Sequence, residues 1–284
     1  MDDLRSRLAV RETQSAPLKV DILPPQGKYF GQSAATEDQK PNGCQRARGF
    51  AADMLCLRQR IGQPRQFVEA VVYVLRTGVA WEDLPERFGK PNSLYRRFRR
   101  WSQQGIWDAL FTAGVPEDAL ETVMVDATIT KAQRFASGAG GGGEEDLGRS
   151  RGGLTTKIHT LVDHRGRSLC YLLTPGQAAD CRHAETLLES VAFAYLIGDR
   201  AYDTDALRAW CAEHGVEAVI PAKRNRKVPI PHDRVRYRTR HRIENLFGRV
   251  KDYTRIILRK DKTSRSYAGF VSLAFALINI QLCP

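Results

Sequence analysis

The sequence predicts an α/β domain preceded by a small helical one, and three observations predict it. Apolar residues recur at helical spacing between residues 64 and 120, short β-branched runs alternate with helical segments from Thr122 onward, and an amphipathic helix with a charged stripe follows the last strand. At 284 residues the chain is long enough for one sizeable core and a small extra unit.

Residues 1–63 hold Pro24-Pro25, scattered Gly, Ser and Gln, and no sustained period, so an irregular leader is expected there. From residue 64, Phe67, Val68, Val71, Val72 and Leu75 make a helical stripe that ends at Thr77-Gly78, where glycine suits the position just past a helix. After a short segment at 81–88, Asn92 or Ser93 can cap a further helix. In it Leu94, Tyr95, Phe98 and Trp101 face inward, and Arg96, Arg97, Arg99 and Arg100 face out. A four-arginine face on the third of three helical segments resembles a helix-turn-helix DNA-binding unit. A helical cap with solvated arginines fits the same pattern.

Residues 105–120 read as a helical connector, and 122–125 as a strand ending on Asp126. The glycine-rich loop at 137–153 contains Gly138-x-Gly140-x-x-Gly143, but no helical pattern opens after it, which excludes a nucleotide fingerprint. Two strands, 155–162 and 169–173, flank the turn signal Asp163-His164-Arg165-Gly166. Asp180 is placed to cap a helix reaching Leu188, and a fourth strand at 193–197 ends at Gly198-Asp199. A helix at 204–214, a fifth strand at 217–220 and the basic loop Lys223-Arg224-Asn225-Arg226-Lys227 lead into one long helix over 233–257, capped by Asp233. Residues 266–284 carry no charge but are interrupted by Ser272, Asn279 and Gln281, so they predict a buried terminal helix and no membrane span. Three antiparallel-type strands, then alternating helix and strand closed by a helix, is the order of a ribonuclease-H-like α/β domain. The expected domains are 1–63, an irregular leader; 64–120, helical and helix-turn-helix-like; and 121–284, catalytic.

The formal charge is +12, and much of it is local: residues 221–262 hold 15 basic and 4 acidic residues. A basic cleft around a carboxylate points to a polyanionic partner, most simply nucleic acid. The six cysteines show neither zinc-type spacing nor a disulfide framework, and no N-terminal stretch has signal-peptide order. A reducing cytoplasm, at the nucleoid, is the expected location.

The long helix buries Ile243, Leu246, Phe247, Val250, Tyr253 and Ile257. On a wheel of about 100° per residue, Tyr237, Arg240, Glu244 and Lys251 fall at about 0, 300, 340 and 320°, beside a core stripe near about 220°. Glu244 therefore lies on the rim of the core, facing a cleft. In a ribonuclease-H-like sheet the first and fourth strands are neighbours, so Asp126 and Asp199 would project together toward it. Three hard carboxylates suit a pair of Mg²⁺ ions, or Mn²⁺ in their place, which activate an attacking oxygen and stabilise a leaving one in phosphoryl transfer. Asp203 rivals Asp199 for the second position, although it can instead cap the 204–214 helix. Glu244 could also serve only in an ion pair with Arg240 or Arg249.

Tyr237-x2-Arg240-x3-Glu244-x6-Lys251 is accompanied, in order along the chain, by further blocks. They are Val125-Asp126-Ala127-Thr128, the run from Gly148 to His159, Leu173-Thr174-Pro175-Gly176-Gln177, Asp199-x3-Asp203, Val219-Ile220-Pro221 and Asp261-Lys262-Thr263-x-Arg265-Ser266-Tyr267. Over about residues 66–284 the chain resembles the DDE transposases of bacterial insertion sequences, and within them the insertion-sequence-five group. The resemblance implies Asp126, Asp199 and Glu244 as the catalytic, metal-binding triad, and Tyr237, Arg240 and Lys251 as holders of transposon-end phosphates. It implies hydrolysis at the element's 3′ ends and attack of the freed 3′-hydroxyl on target DNA, with terminal inverted repeats and target duplex as partners. Joining two ends calls for at least a homodimer. Arg96, Arg97, Arg99, Arg100, Lys223, Arg224, Arg226 and Lys227 are expected to add DNA contacts, to phosphates more than to bases. Two features depart from the family: Ala201 stands where glycine is common, and residues 1–63 do not resemble the usual leader. A Mg²⁺-dependent nuclease that cuts without joining, and a DNA-binding relic without chemistry, are the rival readings.

Overall fold

The computed structural model describes residues 64–115, 120–137, 146–189 and 191–282; the expected leader at 1–63 and residues 138–145 of the glycine-rich loop lie outside them. The first elements are α1 (Pro64–Thr77), two 3₁₀ turns (Trp81–Asp83 and Glu86–Phe88), α2 (Pro91–Gln103) and α3 (Ile106–Ala113). Helix α1 ends as the sequence predicts, with Gly78 at φ +66° donating its N–H to the Val74 carbonyl at 2.8 Å. Helix α2 starts differently: Lys90 is the cap residue and Pro91 takes the first helical position, where its fixed φ serves in place of a polar cap from Asn92 or Ser93.

Seven strands form one sheet: β1 (Thr122–Ala132), β2 (Gly148–Ser150), β3 (Gly153–Asp163), β4 (Ser168–Pro175), β5 (Tyr195–Ile197), β6 (Glu217–Val219) and β7 (Leu258–Arg259). The path runs β2-β3-β1-β5-β6, with β4 on β3 and β7 on β1. Strands β1, β3 and β4 are antiparallel neighbours, whereas β5 and β6 continue in parallel from β1. This is the ribonuclease-H-like order expected. Strand β1 runs on well past Asp126, because β3 pairs with it from Val123 to Lys131. Among the described residues its other edge is paired only at the ends, with β5 at residues 122–124 and with β7 at Lys131 and Ala132. Between these two short partners the edge of β1 opens a notch, and Asp126 lies in it.

Helices cover both faces. One core layer joins Met124, Ile158 and Ile197 to α1, α2, α3 and the later helices α7 (His241–Lys251) and α9 (Ser264–Leu282). The N-terminal helices thus share a core with the sheet, and Phe98 of α2 stacks on Phe270 of α9 at 4.3 Å. Gly269 permits this approach, since a Cβ there would come within 2.7 Å of Ser102 Oγ and 2.9 Å of Trp107 Cδ1. The other layer sets Val123, Val125, Leu161 and Leu196 against α4 (Ala184–Leu188) and α5 (Asp205–Glu213). Asp180 does not cap a helix; it starts a 3₁₀ turn and accepts from Lys157 Nζ at 2.8 Å. Helix α5 is capped by Thr204, whose hydroxyl accepts from Leu207 N at 3.2 Å.

The expected long helix is divided. Asp233 does cap it, accepting from Val235 N and Arg236 N at 2.8 and 3.0 Å. It then consists of α6 (Arg234–Tyr237), a 3₁₀ turn (Arg238–Arg240), α7 and, after a break at Asp252 and Tyr253, α8 (Thr254–Ile257). Tyr253 takes extended dihedrals (φ −85°, ψ 107°), which stops α7 and turns the chain toward β7. The 3₁₀ turn coincides with Thr239, whose hydroxyl donates to the Arg236 carbonyl at 2.7 Å and competes with the helical ladder. Helix α9 is mostly buried, and no helix among the described residues is long and apolar enough to cross a membrane.

A buried polar network ties the C-terminal motif to the sheet. Arg255 donates twice to Asp261 at 3.0 and 2.9 Å, Arg259 donates to Thr156 Oγ1 at 2.7 Å over the Tyr267 ring, and the Tyr267 hydroxyl meets Thr130 Oγ1 at 2.8 Å. The block from Asp261 to Tyr267 is therefore structural, fixing β7 and α9 against β1.

Candidate active site

Asp126 and Asp199 stand level with each other. The last parallel pair between β1 and β5 is Met124 with Ile197, and each aspartate lies two residues beyond it. Neighbouring strands are about 4.8 Å apart. With a side-chain period of two, Asp126 shares the face of Met124, the face that α7 covers with Ile243 and Leu246. Asp199 closes β5 as the cap of a 3₁₀ turn (Arg200–Tyr202), its Oδ1 accepting from Ala201 N at 2.8 Å. Ala201 thus supplies an N–H to the aspartate, a role that its methyl group does not obstruct.

Glu244 sits on the exposed side of α7, one turn after Arg240. The Arg240 guanidinium lies between the carboxylates, Nη2 donating to Asp126 Oδ2 and Nη1 to Glu244 Oε1, both at 2.5 Å. Burial raises the Asp126 pKa and outweighs the Ala127 N–H and Arg240, with the Asp199 charge adding to the rise. Burial alone would lower Arg240, but Asp126, Tyr237 and Glu244 reverse this and raise it. With the guanidinium in place, no three acidic, histidine or cysteine groups among the described residues converge closely enough to hold an ion. Tyr237 is half-buried against His232, edge to face at 5.3 Å, and Lys251 is exposed at the end of α7.

Other expected DNA contacts divide. Arg96, Arg99 and Arg100 face solvent, whereas Arg97 turns inward over the rings of Phe67 and Trp101 at 4.3 and 5.2 Å. The reason is packing: Arg97 stands one turn from Trp101 on α2, and its flat guanidinium covers two rings that α1 and α2 leave at their edge. Arg224 and Lys227 are exposed and Lys223 half-buried. Arg226 is instead bound to Asp203 at 2.9 Å and to Asp205 at 2.7 Å. Asp203, 2% exposed, also accepts from Arg208 Nε and from Lys223 N, each at 2.7 Å. Its oxygens are committed to holding the basic loop, which leaves Asp199 as the aspartate that opens on the cleft.

Sequence reasoning gave no role to the residues just beneath. Lys157 and His159 lie within the quoted Gly148 to His159 block, and Tyr202 lies between Asp199 and Asp203. His159 is 1% exposed, its Nε2 is 2.8 Å from Thr174 Oγ1, and burial, His183 and Lys157 push its pKa down to about 4, so it is neutral. Polar residues alternating inside a β-branched run were the available signal.

A family profile described as "Transposase DDE domain" matches residues 118–280, and one described as "Putative transposase of IS4/5 family" matches 48–111. A curated relative from Brucella ovis, "Putative transposase for insertion sequence element IS6501", is 41% identical over 129 residues, 44% of this chain and 98% of that protein. The uncharacterized protein y4sN of Sinorhizobium fredii is 39% identical over 75 residues, 26% of this chain and 60% of that one. Among solved structures, the piggyBac transposase synaptic complex with hairpin DNA aligns with a TM-score of 0.51 at 11% identity, over 76% of this chain. The chain spans 64% of that protein's length, and at this identity the likeness concerns the fold. With more than half of its residues inside the matched profile, the chain belongs to the transposase DDE domain family.

Proposed function

We propose that the protein is a DNA transposase that cleaves at insertion-sequence ends and joins the 3′-hydroxyl to target DNA, with Asp126, Asp199 and Glu244 as its catalytic carboxylates. One observation carries this reading: parallel register puts Asp126 level with Asp199, on the face where α7 brings Glu244 within reach of the same Arg240 fork. The donor set suits Mg²⁺ or Mn²⁺, being three carboxylates with hard oxygens. It also calls for a cation, because burial and Asp199 both oppose ionisation of Asp126. When bound, a pair of such ions supplies a nucleophilic oxygen at neutral pH and neutralises charge on the leaving one.

The chain's own residues then divide the work. Asp126 accepts from the Ala127 N–H next to it in β1 and Asp199 from the Ala201 N–H of its 3₁₀ turn, while Glu244 sits on an exposed helical turn from which it closes toward them once Arg240 lets go. Arg240 occupies the gap as a stand-in cation. Its planar fork matches phosphate as well as carboxylate, so an arriving DNA end gives it an alternative partner and opens the carboxylates to metal. Lys251 adds a mobile positive charge on the same stripe. The basic loop is shaped by Asp203 so that Arg224 and Lys227 face out. Two DNA ends require at least two copies of the chain.

Replacing Lys251 or Arg240 by alanine is expected to weaken end binding and to flatten its dependence on log salt by about 0.9 per lost phosphate contact. A gel-shift titration between low and moderate salt measures this, and an unchanged slope would remove either residue from the phosphate contacts. The activity itself is tested with a pre-cleaved 3′ end presented to a target duplex. A transposase yields joined products; a nuclease of the same fold yields only hydrolysis.

A further inference from the structure

The core layer set by α4 and α5 stops short along β1. It covers Val123 and Val125, but farther along the same face Ile129 is 47% exposed and Lys131 is exposed. With a side-chain period of two, this face is the one opposite Asp126. Register sets Thr155 of β3 against Lys131 and Gly148 of β2 against Thr155, so Ser150 stands on the same face as Lys131. There Ile129, Lys131, Thr155, Ser150, Arg151 and Gly152 line an open groove of about 390 Å³ at the tip of the β2–β3 hairpin.

The groove is cationic, and its cations are uncommitted. Lys131 and Arg151 are exposed, and neither takes part in an ion pair among the described residues. Asp146, the acidic residue described between them in the chain, is buried and accepts from Ser264; Glu144 and Glu145 lie outside the described residues. The turn between the cations is bare without a reason inside the chain. Gly152 does not take positive φ, and a Cβ there would come no nearer than 3.7 Å, to Ser150 Oγ, which is ordinary contact. A partner pressed against the turn from outside gives that glycine a use, because a missing side chain admits close approach.

Strand transfer brings two DNA molecules to one set of carboxylates. The cations read above as holding the transposon end, Arg240 and Lys251, belong to the segment that covers the Asp126 face. The groove lies on the other face, and the unpaired stretch of the β1 edge at Asp126 separates the two. Lys131 is about 16 Å from Asp126 along the strand, about half a helical turn of duplex DNA. A lysine, an arginine and a bare turn read phosphate and not bases, so the surface takes a duplex of any sequence, whereas the end must be told from other DNA.

We propose that this groove holds the backbone of the target duplex, with Lys131 and Arg151 on its phosphates and Gly152 admitting it to the turn, while the transposon end occupies the α7 face. The inference rests on the transposase reading above.

The test uses the full chain with its end site filled by an unlabelled, pre-cleaved end duplex in EDTA, and measures capture of a labelled duplex of unrelated sequence by fluorescence anisotropy. The variants are Lys131→Gln combined with Arg151→Gln and, as control, Arg149→Gln. Arg149 is exposed on the same hairpin but pairs with Leu154, so it points to the other face. The double variant is expected to capture the second duplex about tenfold more weakly and to flatten the dependence on log salt by about 0.9 for each lost contact. End binding, end cleavage in Mg²⁺ and the thermal midpoint should stay at wild-type values, and joining to target should fall with capture. Unchanged capture by the double variant would overturn the proposal, and so would an equal loss in Arg149→Gln or a parallel loss of end binding. Capture that depends on Lys131 and Arg151, in a wild-type protein that joins nothing, would uphold the surface and overturn the transposase reading.

Discussion

Glu244→Gln is expected to lower end cleavage and joining at least about a thousandfold, about 4 kcal/mol of barrier, with end binding within about twofold of wild type. The side chain is 55% exposed on α7, so the fold should move by no more than about 0.5 kcal/mol. What changes is the charge. A neutral amide is a poor ligand for a hard divalent ion, and Arg240 loses one of its two carboxylate partners. A labelled duplex carrying the element's end, assayed for cleavage and by gel shift, separates the two effects. Full activity of this variant in Mg²⁺ would exclude Glu244 from the catalytic set.

Asp203→Ala should instead destroy the fold locally and leave chemistry as a secondary loss. Removing the carboxylate strips Arg208, Arg226 and the Lys223 N–H of their shared acceptor. Breaking a buried pair from one side costs about 3–5 kcal/mol, enough to lower the thermal midpoint by about 10 °C in a domain of this size. Acid should show the same dependence. Burial would raise the Asp203 carboxyl, but Arg226, the Lys223 N–H and Arg208 outweigh it and hold its pKa at about 2, against 3.8 for an ordinary aspartate. The folded state therefore binds its proton later than the unfolded chain. Its contribution to stability is complete above about pH 4 and is lost as the pH falls toward 2. Thermal midpoints taken across that window should fall less steeply in Asp203→Ala than in the wild type. A variant with wild-type stability and no cleavage would restore Asp203 as a catalytic candidate.

Most of what positions the site was legible in the sequence. The order of strands and helices led to the sheet topology, and the spacing of Arg240 and Glu244 put them one turn apart, where they pair. Long-range partners were not legible. Strand β1 was expected to stop at Asp126 because the β-branched run pauses there, but alternation continues through Thr128 and Thr130, both buried, and Ile129 and Lys131, both exposed. Pairing with β3 makes that alternation a strand. The break between α7 and α8 was hidden because Val250, Tyr253 and Ile257 keep helical spacing although Tyr253 itself takes extended dihedrals.

Charge was harder still. Arg97 and Arg226 are arginines among arginines in the sequence, and only contacts from distant segments separate the one stacked on Phe67 and the one bound to Asp203 from those facing solvent. Asp199 and Asp203 likewise differ by their neighbours: one opens on the cleft, the other holds a loop. Nothing local announced that Arg240 would bridge Asp126 and Glu244, since Asp126 is 114 residues away.

The most direct measurement is Mg²⁺-dependent cleavage and strand transfer on DNA bearing the inverted repeats that flank the gene, with Asp199→Ala as the control. Asp199 is partly exposed and caps only one short turn, so its loss should spare the fold. Joined products from the wild type that vanish in Asp199→Ala are the predicted result. Specific end binding with no Mg²⁺-dependent cleavage by the wild type, or cleavage that survives in Asp199→Ala, would contradict the assignment of catalysis to these carboxylates.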